Sequence, residues 1–343
     1  MHQARLAKIV PLALLTCAVP GLARAANPEP SAYELPGTST PQIDDGVNAT
    51  TCSWPTVVAV TGGGGLCTGT LIDEQVVLYA AHCGGGNKTI SFGEGGSTGR
   101  SVGTQYCTAN PEFSDVNDNP NVDWAFCVLD SPVTDVPITP ALVGCNIDDI
   151  PIGTDAVISG FGQAISGPSG LKRWAASRII SFNLNYDVGG IVRVGAPPDF
   201  PAICSGDSGG PAFGRMRDGA WHVFGIASFG PVSGCGTNSS PHGHALVWDA
   251  IPWVEQQTGI DVTPCTDADG AWNPDPRCGG FFAGGTGGSG TWDTWCSGTP
   301  ASGPSDTCGA PFGTEPETDA PTVRITAPEL SSVRSTNTPE SLR

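Results

Sequence analysis

Gly206-Asp207-Ser208-Gly209-Gly210-Pro211 sets a serine hydroxyl in a turn flanked by glycines. Glycine opens backbone conformations closed to other residues, so the N–H groups of Gly206 and Ser208 can face one small space. Acyl transfer needs that pairing: a hydroxyl to attack a carbonyl, and donors to stabilise the oxyanion the attack creates. A serine hydroxyl also needs a base, being inert at neutral pH without one. His82, in Ala80-Ala81-His82-Cys83, is the candidate, since an unperturbed imidazole titrates at about 6.5. Asp123, in Asn121-Val122-Asp123-Trp124-Ala125-Phe126, is the candidate orienter of that base. Taken singly, each has a bland reading: a turn serine, a packed histidine, a strand-edge carboxylate. Their joint order and flanking residues favour chemistry.

That order, His82 then Asp123 then Ser208, is the one found in chymotrypsin-type enzymes and differs from subtilisins and α/β-hydrolases. On these motifs the chain resembles the trypsin/chymotrypsin family of serine endopeptidases from about Ile43 to Ile260. The resemblance implies an all-β fold: two six-stranded antiparallel β-barrels and a C-terminal helix. It implies peptide hydrolysis through an acyl-enzyme on Ser208, with Gly206 and Ser208 supplying the oxyanion hole, and no cofactor or metal. Ser228, in Ala227-Ser228-Phe229-Gly230, matches the family serine that supports the buried aspartate. Asp207 matches the carboxylate that pairs with an amino group freed by precursor cleavage, here before Ile43. Ile43-Asp44-Asp45-Gly46 keeps the first and last residues of the family's Ile-Val-Gly-Gly start and departs at Asp44 and Asp45. Gln42 precedes the site, so an activator of trypsin-like preference does not cut there.

The resemblance also places a specificity pocket. Ala202 stands at its base where members that prefer basic residues carry aspartate, and Ala202-Ile203-Cys204-Ser205 brings no acid. A buried substrate Arg or Lys would go unpaired, which is strongly unfavourable. Ile203 makes one wall apolar, and Phe229-Gly230 leaves the mouth open, so an apolar residue is expected before the cleaved bond. Aligned from Trp253, His242 falls at the rear wall, where it shortens the pocket or favours an acidic residue. A one-residue shift puts Gly243 there instead. The resemblance pairs Cys67 with Cys83 and Cys204 with Cys235. Cys107–Cys127 and Cys52–Cys145 are the pairs left for the rest of the domain.

Strand-like runs separated by Gly and Asp/Asn turns extend from Thr56 to Val247. Short strands at that spacing read as barrels or sandwiches. One late helix is expected, with Asp249 as its cap and Gly259 just past its end. Residues 1–25 read as a signal peptide, with a basic start, an apolar run from Ile9 to Val19 and a cleavage site at Ala23-Arg24-Ala25. A lipoprotein signal ending at Cys17 is the alternative. Losing Cys17 from 13 cysteines leaves an even set, as disulfides in an exported chain require. Residues 26–42 read as a propeptide and 43–262 as the protease domain. Residues 263–320, rich in Gly and Pro, carry Cys265, Cys278, Cys296 and Cys308, whose three possible pairings the sequence leaves open. Residues 321–343 read as a disordered terminus.

A net charge of −18 argues against nucleic acid or an anionic membrane as partner. The expected partners are protein or peptide substrates and an activating protease, and the location is outside the cell or in its envelope. The tail is read as an attachment to a cell surface or polysaccharide, Trp272, Trp292 and Trp295 serving either sugar stacking or a small crosslinked core. The rival to an enzyme is a binding or scaffold protein on an inactive protease fold. Such proteins usually lose a triad member, and this chain keeps all three plus Asp207 and Gly206.

Overall fold

Apolar runs that bury both of their faces build the domain. The computed structural model describes residues 46–63, 65–113, 119–143, 150–164, 167–185, 189–215, 221–230, 235 and 242–265. A short strand β1 (Val47–Asn48) comes first, followed by β2 (Val57–Gly62), β3 (Gly65–Asp73), β4 (Val76–Tyr79), β5 (Thr89–Gly95), β6 (Thr98–Ala109) and β7 (Ala125–Leu129). Strands β2 to β7 close into an antiparallel barrel in the order β2-β3-β4-β7-β6-β5. Side chains alternate across a strand. In β2, Val58 and Val60 join the cluster of Leu71, Val77 and Ile90, while Val57 and Ala59 join a second cluster with Ile226, Ala245 and Val247. The first cluster fills the barrel. The second joins it to the other half of the molecule, which is why β2 reads as unbroken Val-Val-Ala-Val rather than alternating with polar residues.

That other half contains β8 (Asp155–Gly160), β9 (Arg173–Asn185), β10 (Gly189–Val194), β11 (Pro211–Arg215), β12 (Trp221–Phe229) and β13 (His242–Leu246). They run in the order β9-β10-β13-β12-β11-β8, and β8 pairs back onto β9 to close a second six-stranded barrel. Its interior holds Ile158, Val192, Val194, Ala212, Phe224, Ala227 and Leu246. Strand β1 adds to the edge of β9, with Val47 opposite Trp174, so the start of the domain crosses to the second barrel before the chain enters the first.

Trp54 anchors that crossing. Fully buried, it stacks on Phe213 at 5.2 Å and meets the edge of Trp221 at 5.5 Å. Trp54→Ala therefore removes the centre of an aromatic cluster shared by both halves. It is expected to cost about 3–5 kcal/mol, read as a fall in the denaturant midpoint.

The helix α1 (Val247–Thr258) leaves β13 directly. Its N-cap position is Leu246, with no side-chain cap, so Asp249 is not the cap expected from sequence. Because the helix starts before it, Asp249 lies in the first turn. There its Oδ2 accepts the Gly190 N–H of β10 at 2.9 Å, and burial pushes its pKa up to about 6. Pro252 lies inside the helix, and Gly259 ends it in the left-handed conformation at φ 68°, where glycine carries no Cβ penalty.

Strand β6 was not legible as a strand. Its Gly99 and Gly103 interrupt any alternation, yet Gly99 is needed, since it adopts φ +108° and a Cβ there would run into the Phe92 backbone carbonyl. Disulfides join Cys67–Cys83, Cys107–Cys127 and Cys204–Cys235. Cys52 and Cys265 are also disulfide-bonded, and both are buried with the first barrel's core. Cys145 and all of the tail beyond Cys265 lie outside the described residues, as do Ile43, the signal and the propeptide. Among the described residues no helix is long and apolar enough to cross a membrane.

Candidate active site

Three backbone segments meet where the barrels join. A 3-10 turn at Ala81–Cys83 follows β4 and carries His82. A second such turn at Pro120–Val122 precedes β7 and delivers Asp123. The glycine-flanked turn before β11 carries Ser208. His82 Nδ1 lies 2.8 Å from Asp123 Oδ2, and the His82 backbone N–H donates to Oδ1 at 2.9 Å. Ser228 Oγ donates to Oδ2 at 2.5 Å. The carboxylate is therefore held by three donors and almost wholly out of solvent, at 1% exposure. An anion at Nδ1 places the imidazole proton there, which leaves Nε2 with the lone pair that a general base needs.

Backbone contacts seat the serine turn against both barrels. Ser208 O accepts the Thr68 N–H of β3 at 2.8 Å, and Gly209 N–H donates to Ala227 O of β12 at 2.7 Å. Cys83, next to His82, brings its Sγ to 3.9 Å from Ser208 O. Gly209 adopts φ +83°, and a Cβ there would come within 2.8 Å of Ala80 N. Only glycine lets the turn settle this close to the histidine segment. Gly206 adopts φ +95° and its carbonyl accepts from Thr68 Oγ1 at 3.0 Å. The N–H groups of Gly206 and Ser208 have no hydrogen-bond partner among the described residues, which leaves both donors available.

Asp207 points away from solvent into the second barrel's rim. Gly162 N–H donates to its Oδ1 at 2.7 Å and Cys204 N–H to its Oδ2 at 2.8 Å. Burial raises its pKa to about 6, against the opposing pull of those two bonds and of Arg173.

Two walls lie beside this turn, bridged by Cys204–Cys235. Ala202 is fully buried, and Ile203 is 8% exposed. His242, and not Gly243, faces the other wall: a methyl group on Gly230 would lie 2.6 Å from His242 Nδ1, whereas one on Gly243 would meet the Phe229 ring. The alternation of β13 turns His242, His244 and Leu246 to the barrel interior and Gly243 and Ala245 outward. Burial pushes His242 down to about 4, opposed by a hydrogen bond to the Ile203 backbone and helped by nearby Arg193. Burial likewise lowers His244 to about 3. Arg193 lies 4.5 Å over the Phe229 ring. Cys67, His82 and Cys83 cluster closely enough to hold a metal ion. Both sulfurs, however, are spent in one disulfide and the imidazole Nδ1 faces Asp123, so the donor set does not suit one.

Two barrels with a carboxylate-held histidine and a glycine-flanked serine turn at their junction define a serine hydrolase of the chymotrypsin type. The trypsin family model matches residues 43–254, and the chain belongs to that family. It is a serine-type endopeptidase. Brachyurin of Leptuca pugilator is 32% identical over 233 residues, which is 64% of this chain and 99% of that protein. Serine protease 7 of Drosophila melanogaster is 28% identical over 225 residues, 55% of this chain and 56% of that protein. Among solved structures, HL collagenase superposes with a TM-score of 0.54 at 23% identity, covering 63% of this chain and 98% of the other.

Proposed function

We propose that the enzyme cleaves peptide bonds through an acyl-enzyme on Ser208, with His82 as general base and acid and Asp123 as its orienter. Gly206 and Ser208 N–H serve as the oxyanion hole. The observation that carries this reading is the Ser228–Asp123–His82 hydrogen-bond chain ending beside the Ser208 turn. A fluorophosphonate probe tests it: the purified chain is labelled, and Ser208→Ala is not. Equal labelling of the variant would place the nucleophile elsewhere, and no labelling of the wild type would favour a binding protein on this fold.

The substrate residue before the cleaved bond is apolar and not Arg or Lys. Ala202 brings no counter-charge, Ile203 is an apolar wall, and His242, with its pKa near 4, is neutral at pH 7. Its ring fills space against Gly230, so a medium apolar side chain fits better than a long one. In a peptide library, Leu or Met at that position is expected to exceed Arg or Lys by at least about a hundredfold in kcat/KM. A preference for Arg or Lys would refute the pocket assignment.

The protein is read as exported, with residues 1–25 as the signal, 26–42 as a propeptide and 43–262 as the protease. Cleavage before Ile43 supplies Asp207 with an α-ammonium. The tail acts as a non-catalytic attachment.

A further inference from the structure

Beyond the triad and its donors, the buried guanidinium of Arg173 has no role in the reading above. Arg173 opens β9 directly opposite Gly160, the last residue of β8. It is 3% exposed, an unusual place for a residue that stays charged at any physiological pH. Its Nη1 donates to Gly162 O at 3.0 Å and its Nη2 to Pro168 O at 3.2 Å. The N–H of that same Gly162 donates to Asp207 Oδ1. One glycine thus joins the cation to the carboxylate: its carbonyl meets the guanidinium and its amide meets Asp207. The fit is close. A Cβ on Gly160 would run into Asp207 Oδ1, and one on Gly162 would lie 2.6 Å from the carboxylate carbon. A Cβ on Gly206 would lie 2.9 Å from Gly162 Cα. The Gly160–Gly162 segment therefore packs directly on the turn that presents the nucleophile, and Arg173 pins that segment from behind.

We propose that Arg173 is a positioning residue for the hydrolytic reaction, a permanent internal cation that holds Asp207, and through it the Gly206–Ser208 turn, without a newly freed amino group. The proposal rests on the oxyanion-hole reading of Gly206 and Ser208. The physical need is plain. A buried carboxylate is costly unless a cation or several donors compensate it. Arg173 is the charged group whose field favours the Asp207 anion, and Asp207 in turn favours the Arg173 cation. The sequence at the cleavage point adds weight. An amino group on Ile43 must bring Asp44 and Asp45 with it, and two further carboxylates approaching a buried carboxylate oppose the insertion. A fixed guanidinium relieves the site of that dependence. The intact chain then has a formed oxyanion hole and basal activity, and cleavage raises activity without creating it.

The test compares the intact chain with a form beginning at Ile43, each as wild type, Arg173→Lys and Arg173→Gln. The readouts are fluorophosphonate labelling rate, the pH profile of kcat/KM and the thermal midpoint. The intact wild type is expected to label. In the intact chain, Arg173→Gln lowers the labelling rate at least tenfold and moves the acidic limb of the profile to higher pH, because Asp207 then takes up its proton more readily. Arg173→Lys restores most of both, since it returns the charge. A merely structural role would lower the midpoint of both variants and leave the acidic limb in place, which overturns the proposal. So does an intact wild type that fails to label while the Ile43 form labels, a result that leaves the enzyme reading standing. Failure of both wild-type forms to label overturns the hydrolytic reading itself and this proposal with it.

Discussion

Ser208→Ala is expected to lower kcat on a peptide amide by on the order of a millionfold, the scale seen when a triad nucleophile is removed. The fold should survive. What holds the turn is backbone: Thr68 N–H to Ser208 O, Gly209 N–H to Ala227 O and Gly210 N–H to Asp207 O, at 2.7–2.8 Å. None of these involves the hydroxyl. The thermal midpoint should therefore stay close to that of the wild type while turnover disappears. His82→Ala should cost nearly as much, and the double variant little more than either. The hydroxyl and imidazole act as one unit, so removing the second partner of a dead pair loses nothing further. The check is steady-state kinetics on one peptide amide for the two single variants and the double. Losses that multiply would mean that the two side chains act independently, which the seating of the serine turn beside Cys83 argues against.

The parts of this design that sequence discloses are those written locally. Strand β7 occupies Ala125–Leu129, the span its apolar run indicates, because both of its faces are buried and nothing polar interrupts it. The serine turn declares itself because close backbone approach requires glycine at adjoining positions. Strand β6 and most of β9 stay hidden because pairing across the barrels, not their own alternation, makes them strands. Asp249 looked like a helix cap because it precedes the helical pattern. The helix instead continues from β13, and a distant β10 amide takes the carboxylate. The sequence leaves His242 and Gly243 one residue apart as alternatives, and the two-residue pleat of β13 turns His242 inward beside Gly230. Lys172 and Arg173 were the hardest to foresee. In Ser169-Gly170-Leu171-Lys172-Arg173 no apolar run or motif marks them for burial. Their burial is set by partners remote in sequence, the Trp54 carbonyl for Lys172 at 3.0 Å and the Gly162 carbonyl for Arg173. The cost of burial shows in Lys172, whose pKa desolvation lowers to about 7 although Glu94 opposes it.

Asp123→Asn is expected to lower kcat/KM about ten-thousandfold at neutral pH. That scale belongs to this replacement in the enzyme class and is not calculated from the distances here. The direction follows from the hydrogen bonds. Asp123 accepts from the His82 backbone, from His82 Nδ1 and from Ser228 Oγ, two of the three at Oδ2. An amide keeps one oxygen and turns the other into a donor. The His82 backbone N–H is fixed by its 3-10 turn and always donates, so it claims the amide oxygen. The NH2 group then faces Nδ1, which must offer a lone pair, and the ring proton moves to Nε2. A base that already holds its proton on that nitrogen cannot accept one from Ser208. The charge that would stabilise the imidazolium is lost as well. Ser228→Ala separates the two effects. It removes one donor from the carboxylate but keeps both the charge and the tautomer, so its loss should be about tenfold. If Asp123→Asn and Ser228→Ala proved equally mild, the carboxylate would be only a packing element of the junction. The His82 tautomer would then have to be set by something other than the 2.8 Å bond at Nδ1.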